Sequence, residues 1–119
     1  MAVVRKRKLS GSTDGKAIKV GAIGTPGKTI HTATGVSVPG SFDEIWLWGH
    51  NSGTKTVVLT LEWGGTSSPD DILRFTLSAG SGLVPLIPGF ILQNGQIVGA
   101  FANEANVVTV NGFINTITD

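Results

Sequence analysis

Apolar residues in this chain recur at every second position over short stretches, and each stretch closes in a cluster of turn formers. No other feature limits its fold as tightly. Side chains of an extended strand alternate between two faces, so a period of two marks strands with one face buried, whereas helical spacing is hard to find here. The pattern predicts strands over residues 16–23, 29–34, 43–50, 56–63, 72–77, 83–87, 96–102 and 106–114. Between them lie Thr25-Pro26-Gly27, Val38-Pro39-Gly40, Asn51-Ser52-Gly53, Gly64-Gly65, Ser68-Pro69-Asp70-Asp71, Gly80-Ser81-Gly82, Pro88-Gly89 and Asn94-Gly95. Proline presets φ at the first corner position, and glycine or asparagine accepts a positive φ at the next. About eight short antiparallel strands with turns roughly every 8 to 15 residues imply an all-β domain, a sandwich or a barrel, of which a single β-sandwich of jelly-roll type is the preferred reading. Pro85 cannot donate to a ladder, so 83–87 is expected at an edge or with a bulge.

A chain of 119 residues is one domain by length and buries about two-thirds of its unfolded surface, enough for a core without staples. The expected core comes from Ile45, Leu47, Leu59, Leu61, Leu73, Phe75 and Leu77. Cysteine is absent, which removes disulfides, thiolate nucleophiles and the common zinc sites. The apolar runs fall far short of the roughly 20 residues of a membrane helix, and no apolar stretch follows the basic N-terminus; neither membrane association nor a signal peptide is predicted.

The net charge of +1 conceals an asymmetry. Residues 1–28 carry seven basic groups against one acid, a balance of +6, and residues 29–119 carry two against seven, a balance of −5. Residues 1–9, with Arg5, Lys6, Arg7 and Lys8 in succession and no turn former, read as an extended basic arm outside a sandwich formed by 10–119. Such an arm can dock on nucleic acid or on an acidic protein surface. No aromatic residue lies among the cations, as stacking on single strands favours, and the body is acidic, so a protein partner is the preferred reading.

The stretch Phe42-Asp43-Glu44-Ile45-Trp46-Leu47-Trp48-Gly49-His50-Asn51 is apolar on both faces. If 43–50 and 56–63 form a hairpin around residues 51–55, Ile45 faces Leu61 and Leu47 faces Leu59, while Trp46 and Trp48 face Thr60 and Val58 with His50 at the loop end. A slip of one residue would mix the two sets. The segregated register makes the aliphatic face the core and leaves Trp46, Trp48, His50 and Val58 as a docking surface, because tryptophan buries a large apolar area while offering an N–H. The alternatives are that the tryptophan face is the core, or that the arm folds back over the rings.

Residues 22–29, Ala-Ile-Gly-Thr-Pro-Gly-Lys-Thr, match a relaxed phosphate-loop pattern, but the β-branched residues that follow make a poor helix, and phosphate binding requires one. Thr25-Pro26-Gly27 is therefore read as a corner. His31 and His50 lack the spacing of a helical metal pair, and Asp70-Asp71 lacks the alternating oxygen ligands of a calcium loop. No nucleophile elbow, paired carboxylate or serine–lysine motif marks a catalytic centre, so no enzyme, cofactor or metal is predicted.

Taken in order along the chain, Arg5-Lys6-Arg7, Ser12-Thr13-Asp14-Gly15-Lys16, Thr25-Pro26-Gly27 leading to Ile30-His31-Thr32-Ala33, Asp43-Glu44-Ile45-Trp46-Leu47, Leu61-Glu62-Trp63-Gly64-Gly65, Pro69-Asp70-Asp71, Pro88-Gly89, Leu92-Gln93-Asn94, Asn106-Val107-Val108 and Gly112-Phe113-Ile114-Asn115 resemble small virion structural proteins of tailed bacteriophages. The resemblance spans nearly the whole chain. It implies a decoration or cement protein: a small β-sandwich, made in the host cytoplasm, that assembles on the outer capsid surface, often as a homotrimer, and reinforces the major capsid protein lattice. It implies no catalytic residues. Neck and tail components form a second virion reading, and a carbohydrate- or nucleic-acid-binding module using the two tryptophans forms a third.

Overall fold

The computed structural model describes residues 3–35 and 40–118. Among these lie nine strands and no helix: β1 (Val3–Lys8), β2 (Ile18–Val20), β3 (Lys28–Thr32), β4 (Ser41–Asn51), β5 (Val57–Trp63), β6 (Ile72–Leu77), β7 (Val84–Leu92), β8 (Ile97–Ala102) and β9 (Val108–Thr118). They form two packed antiparallel sheets. The first has the order β1-β9-β4-β7, with β2 beside the opening residues of β9, and the second has the order β3-β8-β5-β6. Pairing is nested: β2 with β9, β3 with β8, β4 with β7, and β5 with β6. The turn expected at Val38-Pro39-Gly40 falls largely outside the described residues, as do the first two residues of the expected arm.

Period-two burial follows the sequence pattern closely in β4, where Asp43, Ile45, Leu47, Gly49 and Asn51 are buried and the residues between them are half-buried. Ile45 and Leu47 from the first sheet meet Leu59 and Leu61 from the second in one core, joined by Val57, Leu77, Val98, Val110 and Ile114. Each large aliphatic side chain withdrawn from water contributes about 1.5–3 kcal/mol. Leu73 and Phe75 pack against this core while remaining partly accessible. The aliphatic face is thus the inner one.

The hairpin expected between β4 and β5 does not form. β4 pairs with β9 and β7, and β5 pairs with β8 and β6, so the two strands belong to opposite sheets. Asn51 directs the crossing: its buried amide donates to the carbonyls of Lys55 (2.8 Å) and Leu77 (3.0 Å), and its Oδ1 accepts the Gly53 N–H (2.9 Å). This side-chain-closed turn carries the chain across the roughly 10 Å between stacked sheets instead of back along the ladder. The aliphatic residues still meet, but through the core.

The N-terminal segment is also corrected. Val3–Lys8 is not an arm outside the fold but an edge strand whose every residue pairs with β9, from Val3 with Thr118 to Lys8 with Phe113. Leu9, which follows it, is buried in the core and anchors it. β9 needed a partner for its outer edge along its last six residues, and a continuous strand without turn formers supplies one.

β7 is the opposite edge of that sheet, and its pairing with β4 shifts register twice near Pro85 and Pro88, as missing N–H donors require. Between β4 and β9, Gly112 pairs with Leu47; a Cβ there would lie 2.0 Å from the Trp46 carbonyl oxygen, so only glycine permits this ladder to close.

Candidate functional site

Because β4 buries its odd-numbered residues, Trp46, Trp48 and His50 project from the outer face of the first sheet. Phe113 on β9 is the register partner of Trp46 and stands on the same face. The ring centroids are 6.5 Å apart for Trp46–Trp48, 6.1 Å for Trp46–Phe113 and 6.0 Å for Trp48–Phe113, with interplanar angles of 18°, 14° and 26°. Three near-parallel rings at nearly equal separations cannot be a column, whose end rings would be twice as far apart. They form a compact triangular cluster.

Neighbours hold that cluster in place. Trp46 Nε1–H donates to Glu44 Oε1 at 2.7 Å, and Asn115 Nδ2–H donates to the same oxygen at 3.0 Å. These bonds, Asn115's foremost, hold the Glu44 carboxyl below its usual range against the opposing effect of burial. Gly89 adopts a φ of 84°, and a Cβ there would stand 2.8 Å from the Trp46 ring, so the indole rests on bare backbone. Lys6 Nζ lies 4.4 Å from the Phe113 centroid, a cation–π contact. The arm therefore reaches the aromatic face, although it does not bury the rings.

The four successive cations part company because strand residues alternate. Lys6 and Lys8 share the aromatic face, with Lys8 Nζ donating to the Ser12 carbonyl at 3.0 Å. Arg5 and Arg7 face the other way and line a groove of about 360 Å³ with Val3, Thr116 and Thr118. Arg7 Nη1 donates to Thr116 Oγ1 at 3.1 Å and Thr34 Oγ1 at 3.4 Å. His50 is held at the rim by its Nδ1–H bond to the Gly82 carbonyl, 3.1 Å.

Val58 does not join this surface. It lies on β5 in the second sheet, with its N–H donated to Asn103 Oδ1 at 3.0 Å, because β4 and β5 separate. Phe113 takes the place that sequence reasoning assigned to it. Alternation within 108–118 puts Phe113 opposite Val110 and Ile114 in facing, but nothing local reveals that β9 lies beside β4. Ile91 on β7, the register partner of Glu44, and Leu83 just before β7 are exposed and extend the apolar surface at this sheet edge. Phe90 instead pairs with the inward-facing Ile45 and packs edge-on against Trp63 of the second sheet, ring centroids 6.3 Å apart.

A second polar centre ties the two sheets together. Asp43, fully buried, accepts four hydrogen bonds: from His31 Nε2 (2.7 Å), the Thr34 N–H (2.9 Å), Thr34 Oγ1 (2.8 Å) and Thr116 Oγ1 (2.9 Å). Burial alone would raise its pKa, but the bonds from His31, Thr34 and Thr116 together outweigh it and leave the carboxyl below its ordinary value. His31 Nδ1 accepts the Ser10 N–H at 2.9 Å, which places the imidazole proton on Nε2. Both ring nitrogens are thereby engaged, one by a backbone amide where a catalytic dyad would need a hydroxyl. The pair joins β3 to β4, and through Thr116 and Arg7 it reaches β1.

The phosphate-loop match is a turn entering strand β3, and the Gly27 N–H is given to a carboxylate, that of Glu62, at 2.6 Å. Asp71 Oδ2 accepts the Ser67 N–H at 3.1 Å within its turn. Among the described residues, no group of three or more histidine, aspartate or glutamate side chains is placed to hold a metal. The molecule thus belongs to the class of two-sheet antiparallel β-sandwiches carrying an aromatic cluster on one outer face. In comparison with known proteins, no family model matches the chain, and no curated protein or solved structure matches it significantly.

Proposed function

We propose that the protein is a phage virion structural protein of the decoration or cement type, which assembles with itself, as a trimer, and binds the major capsid protein lattice from outside. The observation that carries this reading is the cluster of Trp46, Trp48 and Phe113, built on a sheet and continued at its edge by the exposed Ile91 and Leu83. Fixed aromatic residues on a flat face are the usual anchors of protein interfaces, and a contact of about 800 Å² per partner fits a face of this kind. The nested strand pairing is that of one long hairpin rolled over on itself, which supports a jelly-roll description, and jelly rolls recur in viral shells. Lys6 and Lys8 beside the rings supply charge that an acidic neighbour would neutralise. By mass action, a protein that binds the assembled lattice better than the broken one stabilises the former.

Native mass measurement of the purified protein, followed by mixing with undecorated shells, tests the proposal. A trimer that saturates the shells and raises their resistance to heat is expected. A monomer that leaves shells bare would refute it, and a copy number of a dozen or fewer per particle would move it to the neck or tail. The near-parallel rings also favour, as a second reading, a stacking platform for sugars or bases. In that case added oligosaccharide or oligonucleotide quenches tryptophan emission of the isolated protein.

A further inference from the structure

The outer face of the second sheet holds a cleft that the aromatic surface does not involve. It has a volume of about 290 Å³, and its walls include Pro26, Gly64, Gly95, Ile97 and Gly99, with Glu62 among them. Glu62 points away from the core, yet it is only 3% exposed, because the loop before β3 folds over it. Its Oε2 accepts the Thr25 hydroxyl at 2.5 Å and its Oε1 accepts the Gly27 N–H at 2.6 Å. Both donors are neutral. Among the described residues, no lysine or arginine lies within ion-pair distance of this carboxylate.

A carboxylate removed from water without a counter-charge is costly, and each of its oxygens keeps acceptor capacity beyond the one bond it makes. The nearby amides of Gly64, Gly95 and Gln96 are already given to the carbonyls of Ile97, Ala33 and Gln93. What the cleft offers a visitor is the negative charge of Glu62, with Thr29, Thr66 and Gln96 each able to turn a side-chain oxygen toward a donor, framed by glycine backbone that permits close approach and by the apolar Ile97 and Pro26. We propose that this cleft binds a primary ammonium group on an apolar stem, the chemistry of a lysine side chain. An ammonium has three donors and no acceptor, and it would supply the charge that Glu62 lacks. The volume lies at the small end of ligand pockets, roughly 300–1,000 Å³, which suits one side chain or a small amine.

The test is a titration of the isotope-labelled full chain with n-butylammonium chloride at pH 7, followed by amide NMR, with n-butanol and sodium butyrate as controls. Saturable shifts at Gly64, Gly65, Gly95 and Gly99 are expected with the amine and not with the controls. Glu62→Gln should weaken binding about tenfold or more. Ile97→Lys, at an exposed position on the rim, should weaken it without touching the Glu62 bonds. Absence of saturable shifts in the folded wild type, an equal response to butanol, or a folded Glu62→Gln variant with unchanged affinity would overturn the proposal. If Glu62→Gln fails to fold, undiminished binding by Ile97→Lys overturns it in its place.

Discussion

The polar tie between the two sheets rests on Asp43, which accepts four hydrogen bonds. Asp43→Ala leaves the His31 Nε2–H and the Thr34 N–H without an acceptor, while the two threonine hydroxyls can rotate toward other partners. His31 is 1% exposed, so water cannot readily replace the carboxylate. At about 1–3 kcal/mol for each buried donor left unpaired, the variant should lose about 4 kcal/mol, a large fraction of the stability of a domain this size. Asp43→Asn keeps one acceptor oxygen and should lose about half as much. Urea denaturation at pH 7 measures both. The pH dependence has a defined sign: the folded-state pKa lies below the ordinary 3.8, so the carboxylate stabilises the fold above about pH 4, and this contribution is lost as pH falls through 3.8 toward the lower folded value. The Asn variant should therefore lose less stability than wild type on acidification from pH 5 to pH 2. An Ala variant within about 0.5 kcal/mol of wild type, or an Asn variant with an unchanged acid limb, would refute the assignment of Asp43 as the tie between the sheets.

Trp48→Ala should weaken self-association or shell binding by about 2 kcal/mol or more, read by sedimentation and shell pull-down. Phe113→Ala should do the same, because the three rings form one cluster. Gly112→Ala drives a methyl group into the Trp46 carbonyl and should cost about 3 kcal/mol or more, seen as a lowered Tm or failure to fold. Deleting residues 1–8 removes the partner of the β9 edge and the Arg7 bonds, so the truncated chain should show a lower Tm and a greater tendency to aggregate, rather than an intact fold with weaker docking alone.

What could be read without the structure was local. Most strand positions and the parity of each side chain follow from a period of two, which sets Ile45 and Leu47 on one face of β4 and Trp46 and Trp48 on the other. That the aliphatic face is the inner one does not follow from it, since the hairpin used to argue it does not form, and Pro88-Gly89, read as a turn between strands, lies within β7. Residues 72–77 are legible at both boundaries because Asp70-Asp71 and the glycines after residue 77 punctuate them. Neighbourhood was not local. The five residues from Ser52 to Thr56 are long enough either to reverse a strand in its own sheet or to cross to the other, and only the contacts of Asn51 with Lys55 and Leu77 choose between these. That choice sends Val58 to the far sheet, brings Phe113 to the tryptophans from far along the chain, and opens the Glu62 cleft on the opposite face. Alternation is a property of the backbone and can be read from any short window, whereas strand pairing is settled by the burial and hydrogen bonding of the whole sandwich at once.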